Sequence, residues 1–145
     1  MTDSFTITRT FAAPRALVYS MWTTPEHFST WFGTDAVDVP LDRLSMDVRV
    51  GGAWKATMIL PDGNTISWVG EYVELDPPSY LALTMTDNPS QPAGDPITVT
   101  LTEVDDGTQM VVVQPRHGFS DEQVAATIAG WNGFFDVMAT LLDQA

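Results

Sequence analysis

With 145 residues, 44% of them hydrophobic, 17% charged and none cysteine, the chain is sized for one domain, 1–145, around a core of its own, and is neither disordered nor a coiled coil. The lack of cysteine rules out a disulfide scaffold, thiolate metal sites and cysteine nucleophiles. Six basic against nineteen acidic residues leave a net charge of −13, which argues against nucleic acid and anionic membrane surfaces as partners and reads most simply as solubility.

The opening "MTDSFTITRTF" has no basic segment leading into an apolar run, and no apolar stretch reaches the ~18 residues of a membrane span, so a cytoplasmic protein is expected. Phe5, Ile7, Arg9 and Phe11 alternate with threonines as a first strand. Two short helices follow. Pro14 starts one, with Leu17, Val18, Met21 and Trp22 at helical spacing. Thr24 and Pro25 start the other, with Phe28, Trp31 and Phe32 as its apolar face.

The middle of the chain is β, with strands expected over 36–43, 46–50, 53–60, 65–75, 79–86, 96–104 and 108–114. Gly51-Gly52, Pro61-Asp62-Gly63-Asn64, Asp76-Pro77-Pro78 and Asp105-Asp106-Gly107 are the turn signals. Ile97, Val99 and Leu101 share one face against Thr98, Thr100 and Thr102, as in an antiparallel sheet covered on a single side. Trp54, Ala56, Met58 and Leu60 likewise share a face, opposite Lys55 and Thr57. Asp47 and Arg49 lie on one side of their segment as a candidate surface pair, and Glu71 points either outward or into the sheet as a buried carboxylate. Asn88 to Asp95, "NPSQPAGD", reads as a polar, mobile loop.

Ser120 and Gln123 form a capping box before one long final helix of about 22 residues, roughly 33 Å in length. Val124, Ile128, Trp131, Phe135, Met138 and Leu142 recur at spacings of three and four, widened by Phe134 and Leu141. Gly130 and Gly133 each cost about 1 kcal/mol relative to alanine in a helix interior. With Ala126 and Ala129 they make a small-residue patch, which fits either close helix-to-strand contact or room for a ligand.

The ordered set "FAAPRALVYSMWTTPEHFSTWF", "DVRVGGAW", "PDG", "GEYVELDPPSYL", "DGTQM" and "GW" resembles the domain family named after the C-terminal domain of the activator of heat-shock protein 90 ATPase. That family lies in the START/birch-allergen-like superfamily. The resemblance implies an α+β helix-grip fold: a curved antiparallel sheet wrapped around a long C-terminal helix, with two short helices after the first strand. It also implies a cavity between sheet and helix that in many relatives holds a hydrophobic molecule. The lining here would come from Trp31, Trp54, Met58, Met85, Trp131, Phe135 and Met138, with His117 beside Arg116 at one mouth. The same residues serve equally as a plain core.

No zinc-protease, serine-hydrolase, phosphate-loop or EF-hand motif is present, and nothing calls for a cofactor or metal. Many relatives carry a histidine three residues before the "GW", where this chain has Thr127, which weakens acid–base chemistry in the pocket. Three functions follow as expectations. The first is a non-enzymatic, stress-related carrier or sensor of a small hydrophobic molecule. The second is a partner that stimulates a heat-shock protein 90 ATPase. The third is a cyclase- or hydrolase-like enzyme using His117 as acid or base. Nothing marks an interface between copies, so monomer and homodimer stay open.

Overall fold

The period-2 alternation read from the strands becomes a sheet with one apolar face. In a computed structural model, residues 4–32, 38–86, 96–115 and 120–143 are described. Strand β1 (Ser4–Phe11) leads into helices α1 (Arg15–Thr23) and α2 (Pro25–Trp31) and a 3₁₀ turn at Leu41–Arg43. Strands β2 (Ser45–Met46), β3 (Ala53–Ile59), β4 (Thr65–Asp76), β5 (Tyr80–Leu83), β6 (Ile97–Val104) and β7 (Gly107–Pro115) follow, then helix α3 (Asp121–Asp143). The strands form one curved antiparallel sheet in the order β1-β7-β6-β5-β4-β3-β2. This is the helix-grip arrangement expected from the order of elements.

Ile97, Val99 and Leu101 of β6 are buried, as are Trp54, Ala56 and Met58 of β3, while Lys55 and Thr100 are exposed. The capping box also forms: the Ser120 N–H donates to Gln123 Oε1 at 2.8 Å and the Gln123 N–H to Ser120 Oγ at 3.1 Å. Glu71 is exposed, and Arg49 pairs with Asp47 at 2.8 Å on the surface.

Two strand expectations are corrected. Of the stretch 36–43, residues 36 and 37 lie outside the described residues, Asp38 makes one bridge to Ile59, and Pro40 then leads into the 3₁₀ turn, so no strand continues. Of 46–50 only Met46 is in a strand. The chain turns at once, with the Arg49 N–H bonded to the Asp47 carbonyl and Gly51 at φ +82°, where a side chain would be strained. The polar stretch Asn88 to Asp95 lies outside the described residues.

Gly70 shows why the β3–β4 pair needs a glycine at its centre. It lies opposite Trp54 in the register, and the Trp54 indole crosses it to donate to the Thr84 carbonyl at 3.0 Å. A Cβ at Gly70 would collide with that carbonyl oxygen and come within 2.6 Å of the Trp54 indole nitrogen. We expect Gly70→Ala to lower stability by roughly 3 kcal/mol, through overpacking and the lost indole bond. A thermal melt followed by circular dichroism should then show a fall in Tm of about 10 °C.

Candidate functional site

Helix α2 sets the interior. Pro25 stands at its first position, and the Thr24 carbonyl accepts from the His27 and Phe28 N–H groups, while the Thr24 hydroxyl makes no cap bond. The spacing of Phe28, Trp31 and Phe32 places all three rings on one face, each at most 3% exposed. They wedge between the sheet and α3. On the sheet side the Phe28 ring lies 5.8 Å from Trp54, and Phe32 lies 6.1 Å from Trp54 and 6.4 Å from Trp68. On the helix side Trp31 lies 6.0 Å from Phe135, and Phe32 5.7 Å from Phe134. Trp22 of α1 closes the group, 4.7 Å from Trp31 and edge-on to it.

Every indole N–H has a partner. Trp31 donates to the Met21 carbonyl at 2.6 Å and Trp131 to Gln114 Oε1 at 2.6 Å. Trp22 and Trp68 donate to the sulfurs of Met110 at 3.4 Å and Met58 at 3.2 Å. The buried Thr108 hydroxyl donates to the Ala13 carbonyl at 2.7 Å. Against this background the Tyr19 hydroxyl is the exception, buried with no hydrogen-bond partner among the described residues. Burial, then the Asp76 carboxylate, raises its pKa. Tyr72 on β4 is raised more strongly, by burial first, then Tyr19 and Asp47.

Trp31, Trp54, Met58, Trp131, Phe135 and Met138, the expected lining, all fall in this one cluster, none more than 5% exposed. Met85 is half-buried at its margin, just before Thr86, which bridges Val69. His117 lies outside the described residues. Trp68 and Tyr72 belong to the cluster as well. The signal for them was present, because Ile66, Trp68, Gly70 and Tyr72 share one face by period 2.

Helix α3 has two unlike halves. No residue from 121 to 130 is fully buried; Val124 and Ile128 are half-buried, and the others are exposed or partly so. From Trp131 onward the helix is anchored by Trp131, Phe135, Met138 and Leu142. Its flank is pinned to β1 by Arg9, which bonds Asp136 at 2.9 Å and Asn132 Oδ1 at 3.2 Å. Gly130 and Gly133 sit at the junction. The reading of close helix-to-strand contact is overturned: Ala126, Ala129 and Gly130 are exposed, and a Cβ at either glycine would meet no described atom within 4 Å. The patch lies on the side of the helix opposite its buried stripe, so the alternative reading, room for a ligand in the interior, is overturned as well.

Acid–base chemistry finds little support among the described residues. The Thr127 hydroxyl is engaged with the Gln123 carbonyl at 2.8 Å, and His27 lies half-buried on α2, 3.4 Å from Ser20 Oγ. No group of three potential metal ligands gathers there, and no described helix is long and apolar enough to cross a membrane.

The family profile described as "Activator of Hsp90 ATPase homolog 1-like protein" matches residues 12–143. The chain belongs to this family. No curated protein matches it. Among solved structures it is similar to a protein of Chromobacterium violaceum, at 24% identity and TM-score 0.81 over 97% of both chains. It is also similar to an AHSA1-like protein of Aeromonas hydrophila, at 19% identity and TM-score 0.80 over 98% of this chain and 93% of that one. A protein of Staphylococcus epidermidis gives 20% identity and TM-score 0.81 over 99% and 92%. These likenesses establish the fold of this member of the AHSA1-like family.

Two outcomes follow. Gly130→Ala should stabilise the protein by about 1 kcal/mol, since alanine is the better helix former and has open space there; Tm should rise by about 3 °C. Above pH 10.0, the ordinary tyrosine value, unfolded chains release tyrosine protons while Tyr72 and Tyr19 hold theirs. The unfolded state then binds fewer protons, so stability that is complete below that pH declines as pH rises. Melts at stepped alkaline pH should show this decline, and Tyr72→Phe should make it shallower.

Proposed function

We propose that the protein is a non-enzymatic carrier or sensor of a small hydrophobic molecule, held between the sheet and α3. The observation that carries this reading is the division of α3. An anchored C-terminal half is joined through two glycines, each with open space where a Cβ would stand, to an N-terminal half that buries no residue fully. A helix merely closing a core gains nothing from weakening its own centre by about 1 kcal/mol per glycine. A flap over a pocket does. Half-exposed Phe134, Trp68 and Met85, with Val124 and Ile128, supply an apolar rim packed against the buried cluster.

The lining in this reading is Trp31, Trp54, Met58, Met85, Trp131, Phe135 and Met138, with His117 at the mouth. The Tyr19 hydroxyl is a donor available to a polar group on the ligand. A second reading, stimulation of a heat-shock protein 90 ATPase, rests on the family match over residues 12–143. Its test is a pull-down with the chaperone and the chaperone's ATPase rate with and without this protein.

The carrier reading is tested by native mass spectrometry of protein purified without detergent, followed by thermal and tryptophan-fluorescence titration with fatty acids and aromatic metabolites. The expected result is a ligand that shifts the indole emission and raises Tm, with about 2.7 kcal/mol of added stability at a hundredfold excess over Kd. Bare protein whose emission and Tm ignore the whole panel would sink the reading.

A further inference from the structure

The face of the sheet away from α3 carries a second candidate site. A cleft of about 450 Å³ opens where the 3₁₀ turn and β2 meet β3 and β4, and Arg43, Lys55, Ser45, Thr57 and Ser67 line it. Its origin is a gap in the sheet edge. β3 is paired on its outer side at Lys55, by Ser45, and at Ile59, by Asp38. Between those two points the chain leaves the edge to make the 3₁₀ turn at Leu41–Arg43.

The exchange of both hydrogen bonds between Ile59 and Asp38 shows which backbone groups of β3 face outward. By the alternation of an antiparallel ladder, the N–H and C=O of Thr57 face outward too. Among the described residues they have no backbone partner.

The cations decide what the cleft suits. In a chain of net charge −13, Arg9 pairs with Asp136, Arg49 with Asp47, and Arg15 donates to Ser79 Oγ at 3.0 Å. Arg43 and Lys55 have no partner among the described residues, and both line this cleft. With nineteen acidic residues available, two cations unpaired among the described residues, lining one cleft with hydroxyls and an open strand N–H, form a donor-rich pocket. Asp42 also lines it, and with the acidic surround it disfavours polyanions such as nucleotides. Leu44 and Val69 add an apolar wall.

We propose that this cleft binds a small organic monocarboxylate with an apolar body, its carboxylate between Arg43 and Lys55. The site is separate from the interior pocket and stands whether or not that pocket takes a ligand.

The test is an NMR titration of ¹⁵N-labelled protein with benzoate, with benzyl alcohol as the neutral analogue and inorganic phosphate as the bare anion. Benzoate should produce saturable shifts in the amides of Ser45, Lys55, Thr57, Ser67 and Val69, leaving the Trp31, Trp68 and Trp131 indoles still. Lys55→Ala and Arg43→Ala should each weaken this at least about tenfold, and Lys55→Arg should restore most of it. Both positions are exposed, so folding should be unaffected, as unchanged Tm will verify. No saturable shift up to about 10 mM would overturn the proposal. So would equal response to benzyl alcohol, equal response to phosphate, retention in both alanine variants, or shifts confined to the interior indoles.

Discussion

A concave sheet and a straight helix cannot touch along their whole length, and in this protein the space between them is occupied by three rings from a helix of only seven residues. Phe28, Trp31 and Phe32 of α2 touch Trp54 and Trp68 on one side and Phe134 and Phe135 on the other. The position of α3 and the depth of the interior follow from that wedge. So does the polar accounting. Five indoles would leave five buried donors, and the structure places a carbonyl, an amide oxygen or a methionine sulfur against each.

The same wedge fixes how a ligand would enter. Aromatic side chains bury about 150–250 Å² each, so withdrawing three of them exposes enough apolar surface to cost about 15 kcal/mol at ~25 cal/mol per Å². That equals the whole stability of a typical domain. Among the described residues, lifting the N-terminal half of α3 would expose the apolar side chains of Val124 and Ile128, both already half-exposed, at a few kcal/mol. In the carrier function we propose, the helix and not α2 would be the element that yields. Arg9 then has a clear place: by holding Asn132 and Asp136 to β1 it fixes the anchored half in position.

Most of this architecture was legible because it rests on periodicity. The strands from β3 to β7, the capping box and the buried stripe of α3 follow from spacings of two and of three to four. What was not legible depends on partners distant in sequence. Nothing local in "DVPLDRL" says that Asp38 will find Ile59 and that the chain will then leave the edge as a 3₁₀ turn. Nothing around Gly70 says that Trp54, sixteen positions earlier, will cross it. The glycines of α3 were misread for a related reason: a helix pattern gives the buried side, but how deep each half is buried depends on what lies beneath it. Of the site, the seven residues expected from the interior are placed in or against one cluster; Phe28 and Phe32 were read as an apolar helix face but not as part of the lining, and Trp68 and Tyr72 were overlooked although their own spacing pointed inward.

Strand β3 joins the two faces of the sheet. Trp54, Ala56 and Met58 point into the aromatic interior, and Lys55 and Thr57 line the outer cleft, so any occupant of either face leans on the same backbone. Communication between the faces would need two arrangements of that strand. The pairing argues against a second one. β4 holds β3 from Ala53 to Ile59, while β2 and the Asp38 bridge hold its other edge at both ends, leaving the backbone groups of Thr57 without a backbone partner among the described residues. A strand fixed on both sides transmits no register shift, because a slip of one residue would turn Trp54 and Met58 to water. The two faces are therefore separate in chemistry: one apolar and covered by α3, the other cationic and open to solvent.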